Sequence, residues 1–149
     1  MPAQIDDLEC KLEILDTAGQ DSYQEMFDTW VNSSEGFLLV YSIDNKNSFE
    51  SIKSKYEKIV ELKGNDNLAI FLVGNKCDLK DQREVTKEEV ENFCLTRNIN
   101  CIETSALNNI NIKESFLGVA RELLKKRFPE KYNNNMTGHL DIRKRCYCF

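Results

Sequence analysis

Asn75, Lys76 and Asp78 stand at N-K-x-D spacing directly after the apolar run Leu68-Ala69-Ile70-Phe71-Leu72-Val73-Gly74. A carboxylate in that fourth position can accept hydrogen bonds from two adjacent N–H groups. Guanine presents such a pair, N1–H and the 2-amino group, whereas adenine offers neither donor on that edge. Leaving both contacts unmade costs about 2–6 kcal/mol, enough to choose between the two bases. The Lys76 stem can lie across a purine face, and Asn75 can tie neighbouring loops together. Taken as four letters alone, the pattern is equally compatible with a solvated turn. The segment Glu103-Thr104-Ser105-Ala106 follows at a suitable distance and adds a backbone amide, that of Ala106, for the guanine carbonyl oxygen.

A third polar signature is Asp16-Thr17-Ala18-Gly19-Gln20. It reads either as an ordinary D-x-x-G turn or as phosphate chemistry. In the second case Asp16 holds a magnesium-bound water, the Gly19 amide meets a terminal phosphate, and Gln20 orients the attacking water. The sequence contains no G-x-x-x-x-G-K-S/T, and its six glycines (19, 36, 64, 74, 118 and 138) are too scattered to form a phosphate cradle.

Each signature follows a segment that reads as a strand. Lys11-Leu12-Glu13-Ile14-Leu15 alternates and ends at Asp16, while 36–43, 68–74 and, more weakly, 99–104 are short apolar runs. Continuous apolar strands suit a parallel sheet covered on both faces. Helical spacing separates them. Phe49, Ile52, Tyr56, Ile59 and Val60 recur after a Ser48 or Asn47 cap, and Thr86 to Glu89 has capping-box spacing. Ile112, Phe116, Val119, Ala120 and Leu123 form an apolar stripe that ends before Pro129, and a shorter helix is expected between Tyr23 and Ser33. The alternation predicts an α/β domain with right-handed crossovers and all three signatures at one carboxyl edge of the sheet.

The chain has 149 residues, enough for one domain, with 41% hydrophobic and 30% charged residues. No run approaches the roughly 18 apolar residues of a membrane span, and the first residues lack signal-peptide character, so secretion is not expected. Net charge is −5, but from Lys125 onward seven Lys/Arg face two acidic residues, giving +5 there and −10 in residues 1–124. An acidic body argues against nucleic-acid binding, and a basic tail suits anionic lipid. Six cysteines without a C-x-x-C pair, and a single His139, make structural zinc improbable and suit reduced thiols. Residues 129–149 show no periodicity and are expected to be a flexible basic tail, beside a domain at 1–128.

The segments Leu12–Gln20, Val73–Asp78 and Glu103–Ala106 together resemble the Ras superfamily of small GTPases. The stretch Glu35–Ile43 with Asn47-Ser48-Phe49-Glu50 is similar to its Ras/Rap branch, and the resemblance runs from about Leu8 to Phe128. It implies a doubly wound, mostly parallel sheet of the P-loop NTPase type and a GTP/GDP switch with slow hydrolysis. It also implies magnesium, exchange factors, activating proteins and effectors as partners, and a monomeric chain. Guanine would be read by Asn75, Lys76, Asp78, Ser105 and Ala106, with Asp16, Gly19 and Gln20 at the phosphates. Tyr23, Met26 and Trp30 would offer apolar contacts to partners, or simply pack a short helix. Cys146-Tyr147-Cys148-Phe149 has the C-a-a-X layout behind Arg143-Lys144-Arg145, which implies geranylgeranylation of Cys146 and the cytoplasmic face of a membrane, the plasma membrane foremost, or cytosol if unmodified.

Only fifteen residues precede Asp16, too few for the family's first strand, phosphate loop, first helix and first switch. Without about five charge-assisted hydrogen bonds at roughly 1.5–3 kcal/mol each, phosphate binding is expected to be weak. The missing strand would lie between those at 11–15 and 36–43, leaving two open inner edges and an unstable, aggregation-prone chain. Two readings stay open. One is a GTPase whose amino-terminal part is absent through truncation or an incomplete gene model. The other is a natural short form, a membrane-tethered interaction module that does not switch.

Overall fold

The computed structural model describes residues 2–5, 8–16, 24–64, 68–129 and 138–148. They form strands β1 (Pro2–Ile5), β2 (Leu8–Asp16), β3 (Gly36–Ser42), β4 (Ala69–Asn75), β5 (Asn100–Glu103) and β6 (Gly138–Cys148). The helices are α1 (Gln24–Ser33), α2 (Lys46–Lys63), α3 (Lys87–Arg97) and α4 (Ile112–Arg127), with a single 3-10 turn at Lys80–Gln82. One six-stranded sheet runs in the order β1-β2-β6-β3-β4-β5. All neighbouring pairs are parallel except β1 with β2.

The apolar runs at β3 and β4 are buried on both faces, as their composition requires. Successive side chains divide between two cores. Phe37, Leu39 and Tyr41 of β3 join Ile70 and Leu72 of β4 against α2 and α3, through Phe49, Ile52, Ile59, Val90 and Phe93. Leu38, Phe71 and Val73 face α4, through Leu117, Val119, Ala120 and Leu124. Each fully buried side chain of this kind contributes about 1.5–3 kcal/mol. Gly118 lets α4 approach the sheet closely, since a Cβ there would lie 2.6 Å from the Phe71 ring.

The helix caps explain where the chain turns. Thr86 and Glu89 form the expected capping box of α3. The cap of α2 is Asn45, not Asn47 or Ser48: its side chain accepts from the Ser48 amide at 3.0 Å, while Ser48 Oγ donates to the carbonyl of Asn45 at 2.7 Å. The Asx side chain reaches the third helical amide from outside the helix, which a residue already inside it cannot do.

The largest departure from expectation concerns the two inner edges. Gly138–Cys148, expected to belong to a flexible tail, forms β6 and lies between β2 and β3. Its register runs from Leu8↔Gly138 to Asp16↔Cys148 on one side and from Gly36↔Cys146 to Leu38↔Cys148 on the other. The slot expected to be open is therefore paired. Unmatched backbone donors and acceptors on two strands are costly, and a third extended segment relieves both. The hairpin partner β1 was also not foreseen, nor was the extent of β2 back to Leu8.

Candidate functional site

The loops after β4 and β5 are built as one unit. At the end of β4, Asn75 accepts at its carbonyl from the Ile43 amide (3.0 Å), which anchors it to the chain leaving β3. The Asn75 side-chain oxygen accepts from Thr104 Oγ1 at 3.2 Å and from the Ala106 amide at 3.4 Å. Lys76 adopts a left-handed φ of 63°, which turns the chain sharply away from the strand. The Cys77 amide then donates to the Thr104 carbonyl at 2.9 Å. Ser105 Oγ donates to Asp78 Oδ1 and also accepts from the Asn108 amide at 3.1 Å. Reciprocal backbone bonds between Ser105 and Ile110 close the turn that carries Ala106.

Charged side chains frame these loops. Lys76 Nζ lies 3.1 and 3.3 Å from the two carboxylate oxygens of Asp44. The Ser42 hydroxyl also donates to Asp44. That bond first, and Lys76 second, holds the Asp44 carboxyl below its ordinary value. Arg83 grips Glu103, the last residue of β5, with two parallel bonds of 2.7 and 3.0 Å. Asn111 Nδ2 donates to the Glu103 carbonyl at 2.9 Å. Neither Asp44 nor Arg83 was singled out from sequence. For Asp44 the usable signal was its position just after the end of β3, whereas Arg83 follows the 3-10 turn and carried no such signal.

Of the expected site residues, Asn75, Lys76, Asp78, Ser105 and Ala106 are thus brought together. Asp16 closes β2 on the carboxyl side of the sheet. It is level with Cys148 and Leu38, and so with Phe71, four register positions before Asn75. At about 3.3 Å per residue that is an offset of roughly 13 Å along the strand direction, so Asp16 ends its strand on the expected carboxyl side but well short of the β4 and β5 loops. Gly19, Gln20 and Tyr23 lie outside the described residues. Cys146 sits within β6, between Ile14 and Gly36. Met26 is 45% exposed on α1, while Trp30 packs against the core beside α2. No helix among the described residues is long and apolar enough to cross a membrane.

Acceptor geometry on Asp78, an interlocked second loop and a lysine at the strand exit fit a purine with adjacent N–H donors. The sequence model of the Ras family matches residues 2–125. The chain is 44% identical over 122 residues to Ras-like protein rasB of Dictyostelium discoideum, covering 82% of this chain and 62% of that protein. It is 38% identical over 146 residues to Ras-like protein rasS of the same organism, covering 97% and 75%. A Ras-like protein of Laccaria bicolor is 42% identical over 135 residues, covering 89% and 61%. The chain therefore spans between about three fifths and three quarters of the length of these relatives. With the fold, the paired loops and a family match over most of its length, this chain belongs to the Ras family.

Proposed function

We propose that the chain is the base-reading part of a GTP/GDP-dependent signalling switch, a small GTPase. The observation that carries the reading is the interlock of the two loops, with Asp78 fixed by Ser105 and Asn75 bridging to Thr104 and Ala106. Asp78 would accept from guanine N1–H and the 2-amino group. The Ala106 amide, already turned toward Asn75, would donate to the carbonyl oxygen of the base. Lys76, braced by Asp44, would lay its stem along the purine face. Gln20 would orient water for attack on the terminal phosphate, the Gly19 amide would meet that phosphate, and Asp16 would hold magnesium through a water. When bound, magnesium neutralises charge that develops on the phosphate oxygens. Exchange factors, activating proteins and effectors are the partners that follow from this reading.

Attachment to an anionic membrane belongs to the same proposal, through Cys146 and the Arg143-Lys144-Arg145 cluster. Since Cys146 is in register with Ile14 and Gly36 inside the sheet, lipid transfer requires β6 to leave its slot. A second reading has one observation in its favour. A sheet completed by its own β6, between β2 and β3, suits a self-contained interaction module that does not switch.

Ligand-observed NMR with GDP, IDP and ADP tests the base reading without demanding tight binding. IDP keeps N1–H but lacks the 2-amino group, so the expected order is GDP, then IDP, then ADP. Equal responses for GDP and ADP would remove the reading. Single-turnover GTP hydrolysis, lost in Gln20→Leu, separates the switch from the silent module.

A further inference from the structure

Away from the base loops, two cysteines meet between α3 and β5. Cys94 lies on the buried face of α3, 6% exposed, and Cys101 is an exposed residue of β5. The left-handed cap Asn98 turns the chain back between them, and Cys101, in register with Leu72, stands on the sheet face where Leu72 and Cys94 share one core. Cys101 also lines an open cavity of about 270 Å³, together with Tyr41, Lys87, Val90, Glu91 and Glu103. The Tyr41 hydroxyl in that lining is buried and makes no hydrogen bond, so it is a donor still to be used.

We propose that Cys94 and Cys101 form a reversible dithiol–disulfide site, with Cys101 as the attacking thiol and Cys94 as the resolving one, oxidised by a small hydroperoxide that enters this cavity. The contact with Cys94 supports the assignment of roles. The neighbouring Cys94 thiol draws the Cys101 thiol down to about 7, although burial and the carboxylates of Glu91 and Glu103 oppose it. The same contact, with burial, pushes the Cys94 thiol up, and Arg97 counters this weakly. Glu103 is itself held by Arg83, and Lys87 brings a cation to the cavity. A thiolate that is accessible attacks, and a protonated, buried neighbour waits.

The chemistry balances in two steps. The Cys101 thiolate attacks one peroxide oxygen, the O–O bond breaks, and the leaving oxygen departs as hydroxide and takes the former thiol proton to become water. Cys101 is then a sulfenic acid. Cys94 loses its proton to the sulfenic oxygen as its sulfur attacks that of Cys101. The S–O bond breaks, a second water leaves, and the S–S bond forms. Together the two thiols lose two electrons and two protons, and one hydroperoxide is reduced.

The test is titration of the reduced full-length chain with hydrogen peroxide, followed by peptide mass spectrometry and sulfenate trapping with a cyclic 1,3-dione. The expected product is a Cys94–Cys101 crosslink that dithiothreitol reverses. Cys94→Ser should lose the crosslink and instead accumulate trapped sulfenate at Cys101. Cys94→Ala should do the same, so that altered packing by the serine hydroxyl is not the cause. Cys101→Ser should lose both products. At neutral pH, iodoacetamide should alkylate Cys101 at least about tenfold faster than Cys94 in the unoxidised chain. Thiols at both positions that survive the peroxide, or a first crosslink to Cys77 or any other cysteine, would overturn the proposal. Nucleotide binding is not needed for any of these readouts, so the outcome is independent of the proposed switch.

Discussion

The Ser105 hydroxyl donates to Asp78 Oδ1, joining the loop that follows β5 to the one that follows β4. A carboxylate has about four lone-pair sites, so this bond fixes its rotation and leaves acceptor capacity toward a base. We expect Ser105→Ala to weaken GDP binding about fivefold to tenfold, the worth of one ordinary hydrogen bond. Asp78→Ala should weaken it by about thirtyfold or more, since two donors on the base go unmet. ADP binding should change little in either variant. Competition measured by ligand-observed NMR checks both, and a parallel loss of ADP binding would mean that the loop had simply unfolded.

Arg83 and Glu103 make a two-pronged ion pair in a partly buried setting, at 2.7 and 3.0 Å. The pair pins the end of β5 just before Thr104, so it positions the second base loop without touching a base. Removing the guanidinium leaves a half-buried carboxylate without its main partner. We expect Arg83→Met to cost about 1.5–3 kcal/mol in urea unfolding. Glu103→Gln, which keeps an acceptor for Arg83, should cost less. Equal costs would show that charge, not geometry, dominates at this contact.

Gly118 tests the packing of α4 on the sheet. A Cβ at this position would meet two atoms of the Phe71 ring at 2.6 Å, and Phe71 is itself a buried strand residue. The helix or the ring must shift, and such overpacking costs about 1–3 kcal/mol. Alanine would otherwise favour a helix by roughly 1 kcal/mol over glycine, so Gly118→Ala is a contest between two opposite effects. A lowered thermal midpoint is the expected result.

The helices α2, α3 and α4 and the strands β3 and β4 were legible because their apolar spacing is dense and unbroken. The base loops were legible because short polar motifs follow those strands directly. β6 was missed for a physical reason. Leu140, Ile142, Cys146 and Cys148 occupy every second position, but Lys144 interrupts the series and four charged residues share the strand. That composition reads as a solvated tail until two open strands are present to pair with it. Asp44 was missed because its role depends on Lys76, thirty-two residues away, and on a turn that only the fold creates. The Asp16 offset could not be read either, since register between β2 and β4 is carried through β6 and β3.

Acid should loosen the start of α3. Lys46 pairs with Glu89, which also accepts from the Thr86 amide and hydroxyl at 3.1 Å. Lys46 first, then Thr86, draws the Glu89 carboxyl down from 4.5 to about 2. A depressed folded value means that the contribution is present above the unfolded pKa and lost as pH falls through the folded one. The window is therefore from about pH 4.5 down to about pH 2. Both side chains are more than a third exposed, so the effect is small and screened by salt. Glu89→Gln should flatten the fall in thermal midpoint across that window and leave the midpoint nearly unchanged in high salt. An identical pH profile in the variant would remove Glu89 from the account.

Insertion of β6 is the most consequential contact of the sheet, because it pairs β2 along eight register positions and β3 along three. Ladder amides exchange with solvent only when the strand opens, so protection at 143–148 measures how firmly the segment is held. We expect those amides, and those of Leu12–Asp16, to exchange at least about a hundredfold more slowly than an unstructured chain, equivalent to roughly 2.7 kcal/mol. Lys144→Pro removes an amide in the middle of β6, opposite Leu12, and a proline is poorly tolerated inside a sheet. It should speed exchange in β2 and β6 together, while β4 and β5 keep their protection. The same variant should make Cys146 a better acceptor for a prenyl group in vitro, since the strand must leave the sheet before a lipid can be attached. If 143–148 exchange at unprotected rates in the unaltered chain while β3 and β4 stay protected, the segment is not a strand in solution and the two inner edges must be covered in another way.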